Sequence, residues 1–181
     1  YGNICAGMMA QRLGLPIKHF VTGTNANNIV PYYLKTGAYD PKPSVATISN
    51  AMDVGAPSNF VRIQQLCGND IEILREKLSG YSYSDEETRE ALLKLYSEHN
   101  YIADPHGAIG YLALKEFMRG SDKAVGVFLE TAHPVKFIDV IPKNISEVIK
   151  IPKAIQTILT KTKKAEKIST YSELKQNLLK H

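Results

Sequence analysis

Short polar segments in this 181-residue chain contain residue types that can do chemistry. The first, Tyr1-Gly2-Asn3, precedes a stretch of small and apolar residues that is typical of a helix. A glycine in a turn before a helix leaves backbone N–H groups unpaired at the positive end of the helix dipole, which favours phosphate binding. Asn3 is also a suitable helix cap, so the segment predicts either a cap or a phosphate site.

The second segment, Thr131-Ala132-His133-Pro134, follows a continuous apolar run at residues 124–129. Such a run predicts a buried strand. Ligands of open parallel sheets bind beyond the carboxyl ends of the strands, so the Thr131 hydroxyl and the His133 imidazole are placed to meet one. The alternative is a threonine cap and a surface histidine before proline, and position alone favours neither.

Two further polar clusters are Asp104-Pro105-His106 and residues 49–53. An aspartate and a histidine two positions apart could form half of a hydrolase relay. That chemistry also needs a serine on a sharp strand-to-helix turn, and the sequence has no such turn. Capping and turn formation is the simpler interpretation of both clusters.

Helix and strand patterns alternate over the first 140 residues, which predicts an α/β domain with a mainly parallel sheet flanked by helices. Asp70 is a predicted helix cap, and Ser84 with Glu87 predicts a capping box. The predicted strands are 17–22, 45–48 and 124–129, and the predicted helices are 3–13, 28–35, 58–66, 71–78, 85–98 and one that begins at Asp104-Pro105 and stops at Gly120. Gly107 and Gly110 share one face of this last helix and predict a close approach there.

The composition of the chain changes after residue 141. Residues 142–181 carry 9 Lys and 3 Glu, whereas residues 1–141 carry 13 basic and 15 acidic side chains. No aromatic residues lie between the clustered lysines, so a solvated helix or loop is favoured over a nucleic-acid site. We expect a domain at 1–141 and a lysine-rich helical extension at 142–181 packed on it, with helices at 146–150 and 171–179.

Composition excludes several classes of protein. No apolar run approaches the ~20 residues that a bilayer requires, and the first residues do not form a basic segment followed by an apolar one. The sequence therefore predicts a cytoplasmic protein without a membrane partner. Cys5 and Cys67 lie far apart and lack zinc-site spacing, so we expect reduced, buried thiols and no metal.

Eight strings of residues occur along the chain in one order. They are Gly2-Asn3, Ala6-Gly7, Gly14-Leu15-Pro16, Thr-Asn-Ala-Asn at 24–27, Ala-Thr-Ile-Ser-Asn-Ala-Met-Asp at 46–53, Ser-Asn-Phe at 58–60, Asp-Pro-His at 104–106 and Thr-Ala-His-Pro-Val-Lys-Phe at 131–137. Their combination resembles the threonine synthase family. The lysine-rich tail resembles that family's C-terminal extension, so the resemblance covers essentially the whole chain.

The resemblance implies a pyridoxal-phosphate enzyme of the tryptophan-synthase-β-like fold, fold type II. Its reaction would be that of a lyase in threonine biosynthesis, converting O-phospho-L-homoserine and water to L-threonine and phosphate. Tyr1, Gly2 and Asn3 match the end of the family's phosphate-binding loop. Thr131 matches the threonine that hydrogen-bonds the pyridine nitrogen, where a neutral hydroxyl does not hold the ring protonated. His133 is expected to be structural.

Further residues are assigned by the same resemblance. Ser49, Asn50 and Asp53 match a segment close to the family's active site and are expected on the substrate side. The Schiff-base lysine of the family belongs to its N-terminal half, and no lysine of this chain matches it. We therefore expect a C-terminal fragment that contains no catalytic residue and is inactive by itself.

The sequence also leaves alternatives to this function. A non-catalytic α/β binding or interaction module is the alternative, because the family's catalytic lysine is not among these residues. A nicotinamide-binding domain is disfavoured, since no G-x-G-x-x-G follows a strand. Threonine dehydratase is a closer relative in chemistry but lacks the strings at 49–53 and 131–137.

Overall fold

The computed structural model describes residues 1–121 and 124–180, and the chain divides into two compact units, Tyr1–Ile149 and Lys150–His181. In the first unit a small parallel sheet lies among helices. Its α-helices and strands, in order, are α1 Gly2–Arg12, β1 Phe20–Thr24, α2 Ile29–Thr36, α3 Val61–Leu66, α4 Ile71–Lys77, β2 Leu78–Ser82, α5 Asp85–His99, α6 Pro105–Phe117 and α7 Lys143–Ser146, with 3-10 helices at Asn50–Met52 and Pro134–Phe137.

The sheet pairs β1 with β2 in parallel, in a register that runs from Phe20 opposite Leu78 to Thr24 opposite Ser82. Two glycines allow helices to lie close to it. A Cβ at Gly23 would lie 2.8 Å from the Ile109 carbonyl oxygen of α6, and one at Gly80 would lie 3.0 Å from Leu34 of α2. These glycines occupy opposite faces of the sheet, because neighbouring register positions alternate. Helices therefore cover both faces, as the predicted α/β class requires.

Two apolar clusters form the core of the first unit. One joins the sheet to α1, α2, α3 and α4, and the other lies between α5, α6 and the segment that follows residue 136. The buried members of the first are Cys5, Met8, Phe20, Val30, Leu34, Phe60, Ile63, Cys67, Leu74 and Leu78. Those of the second are Ala91, Leu92, Leu95, Ala103, Ala108, Phe137, Ile141 and Ile145. Cys5 and Cys67 are free thiols, as predicted.

The prediction of a buried strand at 124–129 is wrong for this structure. These residues pair with no strand in the described chain, and Val125 and Val127 are 94% and 76% exposed. A strand needs a neighbour to accept and donate its ladder hydrogen bonds, which apolar side chains cannot replace. The described residues provide no such neighbour.

One other strand prediction also fails, and one strand was not predicted. Residues 45–48 belong to a loop, because Pro41 and Pro43 interrupt the segment before it. The strand β2 was not predicted: the helix predicted at 71–78 ends at Lys77, and Leu78 has extended φ and ψ as the C-cap of α4. Its sequence, Leu-Ser-Gly-Tyr-Ser, has no β-branched residue and so gives little strand signal.

Most helices agree with their predicted caps. Asp70 accepts hydrogen bonds from Glu72 N and Ile73 N, and Ser84 forms the capping box with Glu87. Helix α2 ends at Gly37, whose φ of 81° is in the left-handed region. The helix predicted at 146–150 lies instead at Lys143–Ser146, directly after Pro142.

The second unit contains two helices, α8 Lys153–Leu159 and α9 Tyr171–Leu179. Helix α9 was predicted with these bounds, and Thr170 and Glu173 form its capping box. Helix α8 was not predicted, because its Lys-Ala-Ile-Gln-Thr-Ile-Leu sequence offers no side-chain cap. The division of the chain into 1–141 and 142–181 stays a prediction.

In the ranges 1–121 and 124–180, no helix combines the length and the apolar character needed to cross a membrane.

Candidate functional site

The first turn of α1 presents unpaired backbone donors. Tyr1 occupies the N-cap position and makes no side-chain capping hydrogen bond, and the turn contains no acidic residue. Asn3 lies inside the helix and is exposed, so it does not act as the cap. A Cβ added at Gly2 would meet no atom within 4 Å. Free N–H groups beside open space are what an anion such as a phosphate requires at a helix N-terminus.

The Tyr1 side chain anchors this helix start to the core. Its ring meets Phe60 edge-on with centroids 5.3 Å apart. Burial raises the pKa of the Tyr1 phenol, while a hydrogen bond with Thr22 of β1 opposes the shift. The sheet thus fixes where the first-turn N–H groups point.

A polar network lies just beyond the carboxyl end of β1. Asn25 is 1% exposed, and its Nδ2 donates to Thr47 Oγ1 at 2.8 Å, Ser49 Oγ at 3.0 Å and Asp53 Oδ1 at 2.9 Å. Asn27 Nδ2 also donates to Asp53 Oδ1, at 3.3 Å. We refer to Asn25, Asn27, Thr47, Ser49 and Asp53 as the asparagine network.

Both oxygens of the Asp53 carboxylate accept hydrogen bonds within the asparagine network. Its Oδ1 accepts from Thr47 Oγ1 at 2.8 Å as well as from both asparagines, and its Oδ2 accepts from Thr47 N at 3.0 Å. All four of these hydrogen bonds come from the protein itself. The role of the carboxylate here is to hold the loop.

The three candidates in this loop therefore differ. The structure brings Ser49 and Asp53 together through Asn25, and Ser49 is completely buried. Asn50 is exposed at the start of the 3-10 helix Asn50–Met52. From the residues themselves, the asparagines were missed as network members. The signal was Asn-x-Asn directly after a strand, where amides can join neighbouring loops.

Asp104 and His106 form a cap rather than a hydrolase relay. Asp104 is the N-cap of α6, and its Oδ1 lies 2.7 Å from both His106 N and His106 Nδ1. Burial pushes the pKa of Asp104 upward, but the hydrogen bonds from His106 contribute to holding the pKa below its ordinary value. The simpler of the two interpretations is confirmed for this cluster.

Thr131 is exposed and lies outside any helix or strand, so it does not follow a strand as predicted. Its hydroxyl makes no hydrogen bond with another described residue, so it is free for a ligand. His133 Nδ1 accepts from Val135 N at 3.1 Å and caps the 3-10 helix Pro134–Phe137. This contact gives His133 a structural role, and the expectation that it has no other stays a prediction.

Within the part of the chain that the structure describes, the candidate residues are not joined to one another by a single hydrogen-bond network. Across residues 1–121 and 124–180, no hydrogen bond joins Thr131 to Tyr1, Gly2 or Asn3, or to the asparagine network. Within the same residues, no group of three or more His, Cys, Asp or Glu could hold a metal ion. The open donors at α1 can bind an anion, and the Thr131 hydroxyl can donate to or accept from a ligand.

Comparison with known proteins identifies the family. Residues 107–178 match the family model described as threonine synthase, C-terminal. Threonine synthase from Haemophilus influenzae is 44% identical over 155 residues, which is 86% of this chain and 36% of that protein. The crystal structure of threonine synthase from Escherichia coli superimposes with a TM-score of 0.89 at 34% identity, covering 100% of this chain and 42% of that one. The chain belongs to the threonine synthase family.

The resemblance read from the eight strings is thereby confirmed, and so is the fold class. A second solved threonine synthase, from Brucella melitensis and described as PLP bound, has a TM-score of 0.77 at 28% identity and covers 89% of this chain and 39% of that one. The chain spans about a third of the length of the curated threonine synthases it matches, 36% for Haemophilus influenzae and 35% for Escherichia coli.

Proposed function

We propose that this chain is the C-terminal portion of a threonine synthase that uses pyridoxal phosphate to convert O-phospho-L-homoserine and water to L-threonine and phosphate. The observation that carries the proposal is the match of the whole chain to the Escherichia coli enzyme with a TM-score of 0.89. The family model over residues 107–178 supports it independently. A cytoplasmic location, a small-molecule substrate and the absence of nucleic-acid and membrane partners belong to the same proposal, as does the division at residue 141.

The residues at the start of α1 fit the cofactor's phosphate. Tyr1, Gly2 and Asn3 lie where backbone N–H groups have no acceptor, and no carboxylate in the first turn repels an anion. When bound, pyridoxal phosphate supplies an electron sink for proton movements at the substrate carbons. The contribution of this chain is to bind the phosphate and to fix its position through Tyr1, whose ring packs against Phe60.

Thr131 would hold the other end of the cofactor. A threonine hydroxyl both donates and accepts, so it can hydrogen-bond a pyridine nitrogen without carrying charge. It therefore does not hold a proton on that nitrogen, as an aspartate would. We assign Thr131 to orientation of the ring and to moderation of its electron withdrawal.

The asparagine network would shape the substrate side. Ser49 and Asp53 fix the loop from within, since both are occupied by protein donors. Asn50 is exposed on the same loop and has a side-chain amide free to bind a substrate carboxylate or phosphate. We assign Asn50 to substrate contact and the other two to positioning.

Catalysis requires residues outside this chain. No lysine among the 181 residues matches the family's catalytic lysine, so residues 1–181 alone should not turn over the substrate. A graft tests the proposal: residues 1–181 replace the matching segment of the Haemophilus influenzae enzyme in a threonine-requiring host. Growth without threonine is expected. A soluble, folded graft that binds the cofactor but gives neither growth nor threonine would favour a non-catalytic interaction module.

A further inference from the structure

Two buried carboxyl groups meet at the first turn of α6. Asp104 is 0% exposed, and its Oδ2 has no donor among the described residues, although its Oδ1 has two from His106. Both carboxyl oxygens of Glu130 are also buried without a donor. No lysine or arginine of the described chain forms an ion pair with either group. Two unpaired carboxylates would repel each other in this setting.

Gly107 is what allows Glu130 to reach this place. A Cβ added at Gly107 would overlap the carboxyl group of Glu130. The carboxyl group therefore lies directly against the helix backbone, three residues after Asp104. This close approach was predicted for the glycine face of the helix, without its partner being known.

The titratable neighbours of Glu130 do not neutralise it. His106 is hydrogen-bonded to Asp104. His99, Tyr101 and Tyr111 line an open cavity of about 430 Å³ that Glu130 also lines. Burial and the neighbouring Asp104 raise the pKa of Glu130 to about 8, and burial together with Glu130 raises that of Tyr101. The direction of these pKa shifts favours Glu130 over Asp104 as the member of the pair that holds a proton.

We propose that Asp104 and Glu130 share one proton, with the Glu130 carboxylic acid donating to Asp104 Oδ2, and that this bond positions Thr131. The proton satisfies Asp104 Oδ2 and removes the repulsion between the two groups. Glu130 directly precedes Thr131, so the bond fixes the chain at the residue before the free hydroxyl. On the other side of Thr131, Phe137 is buried and packs against the His106 ring with centroids 4.9 Å apart.

Glu130 is accordingly a positioning residue that acts through Thr131. The shared proton is inferred from the buried, unpartnered carboxyl oxygens and from the close approach of Glu130 to Gly107, whereas its effect on cofactor binding rests on the proposed function. The two parts are tested separately, on the full-length protein that contains this chain.

The first test concerns the proton and uses the protein without cofactor. Because the pKa of Glu130 is higher in the folded protein than in the unfolded chain, its protonated form stabilises the fold at low pH. This stabilisation is lost as the pH rises from about 4.5, the ordinary value, to about 8. The melting temperature of the wild type should therefore contain a decline over this window that Glu130→Gln lacks, because the amide donates to Asp104 at every pH. Glu90→Gln, at an exposed position of α5, is the matched control and should keep the decline.

Infrared spectroscopy provides a second readout of the same proton. The wild type at pH 7 should show the carbonyl stretch of a protonated carboxylic acid, and Glu130→Gln should lose it. Persistence of both the stretch and the pH-dependent decline in Glu130→Gln would overturn the shared proton. Neither measurement uses cofactor or substrate, so this failure would leave the proposed function intact.

The second test concerns Thr131. Glu130→Gln should keep the wild-type cofactor affinity and visible spectrum at pH 7, whereas Glu130→Ala should weaken affinity by about tenfold, as expected for loss of one charge-assisted hydrogen bond. Rescue by glutamine but not by alanine is the result expected of a positioning residue. Equal losses in both variants, or none in either, would overturn the positioning role. If the alanine variant does not fold, the glutamine variant still decides: a tenfold loss in it contradicts the proposal.

Discussion

The side-chain amide of Asn25 donates a 2.9 Å hydrogen bond to Oδ1 of Asp53 across 28 positions of the chain. This contact joins the end of β1 to the loop that carries Asn50. Asn25 also donates to Ser49 and Thr47, so one buried amide contacts three residues of the loop. The substrate-side assignment depends on these contacts.

Asn25→Ala should therefore reduce stability strongly. It removes one donor each from Asp53 and Ser49 and the acceptor of the buried Asn27 N–H, and a buried group left unsatisfied costs about 1–3 kcal/mol. Asn50→Ala removes an exposed side chain and should change the free energy of unfolding by less than about 0.5 kcal/mol. Urea unfolding of the full-length protein measures both. Equal losses in the two variants would mean that Asn25 does not organise the loop.

Asn50→Ala should affect substrate binding although it hardly affects stability. We expect Asn50→Ala to raise KM for O-phospho-L-homoserine by about tenfold with little change in kcat, as for loss of one hydrogen bond to a charged group. Steady-state kinetics with inorganic phosphate release as the readout provides the measurement. An unchanged KM would remove Asn50 from the substrate side.

Two glycines of α6 give a matched pair of substitutions. Alanine at either position gains up to about 1 kcal/mol of helix propensity over glycine. A Cβ at Gly110 would lie 3.8 Å from Phe128, which is ordinary contact, whereas one at Gly107 would overlap the Glu130 carboxyl. Gly110→Ala should be neutral or stabilising, and Gly107→Ala should cost about 1–3 kcal/mol by overpacking. Thermal unfolding checks both, and equal effects would show that Glu130 does not lie against the helix.

The sequence predicts local structure well where the signal is local. Capping residues Asp70 and Ser84 begin helices as predicted, because a cap is decided within one turn. Strands depend on distant partners, so the run at 124–129 gave a wrong prediction, and β2 was missed although it pairs with β1.

The same distinction between local and distant contacts applies to the candidate site. The helix start at Gly2 was predicted from its own residues, whereas Thr131 was identified through the resemblance. The asparagine network and the Asp104–Glu130 pair join residues that are more than twenty positions apart. Hydrogen-bond pairing over such separations leaves no periodic pattern, so these contacts required the three-dimensional structure.

Thr131 is probed by three substitutions in the full-length protein. Thr131→Ala loses one neutral hydrogen bond and should weaken cofactor affinity by no more than about tenfold, while kcat falls further. Thr131→Ser keeps the hydroxyl and should restore affinity. Thr131→Asp favours a protonated ring and should change the visible spectrum and the ratio of threonine to side products such as 2-oxobutyrate. Wild-type spectra, rates and product ratios in the alanine and aspartate variants would remove Thr131 from the cofactor site.

The lysine-rich tail should not bind nucleic acid. Its exposed Lys161, Lys163, Lys164 and Lys167 have no aromatic residues between them on which bases could stack. We expect no duplex binding that weakens steeply with salt. A titration of labelled duplex at two salt concentrations, with a variant truncated after Lys150 as the control, tests this. Tight, salt-sensitive binding that the truncation abolishes would contradict the expectation.

The most direct measurement of the central claim compares two proteins in one assay. The full-length protein that contains this chain, and residues 1–181 alone, are each incubated with pyridoxal phosphate and O-phospho-L-homoserine. Phosphate and L-threonine are then quantified against a blank without protein. We expect the full-length protein to release both in equal amounts, and residues 1–181 to remain at the blank. Turnover by residues 1–181 alone, or none by the folded, cofactor-loaded full-length protein, would contradict the account.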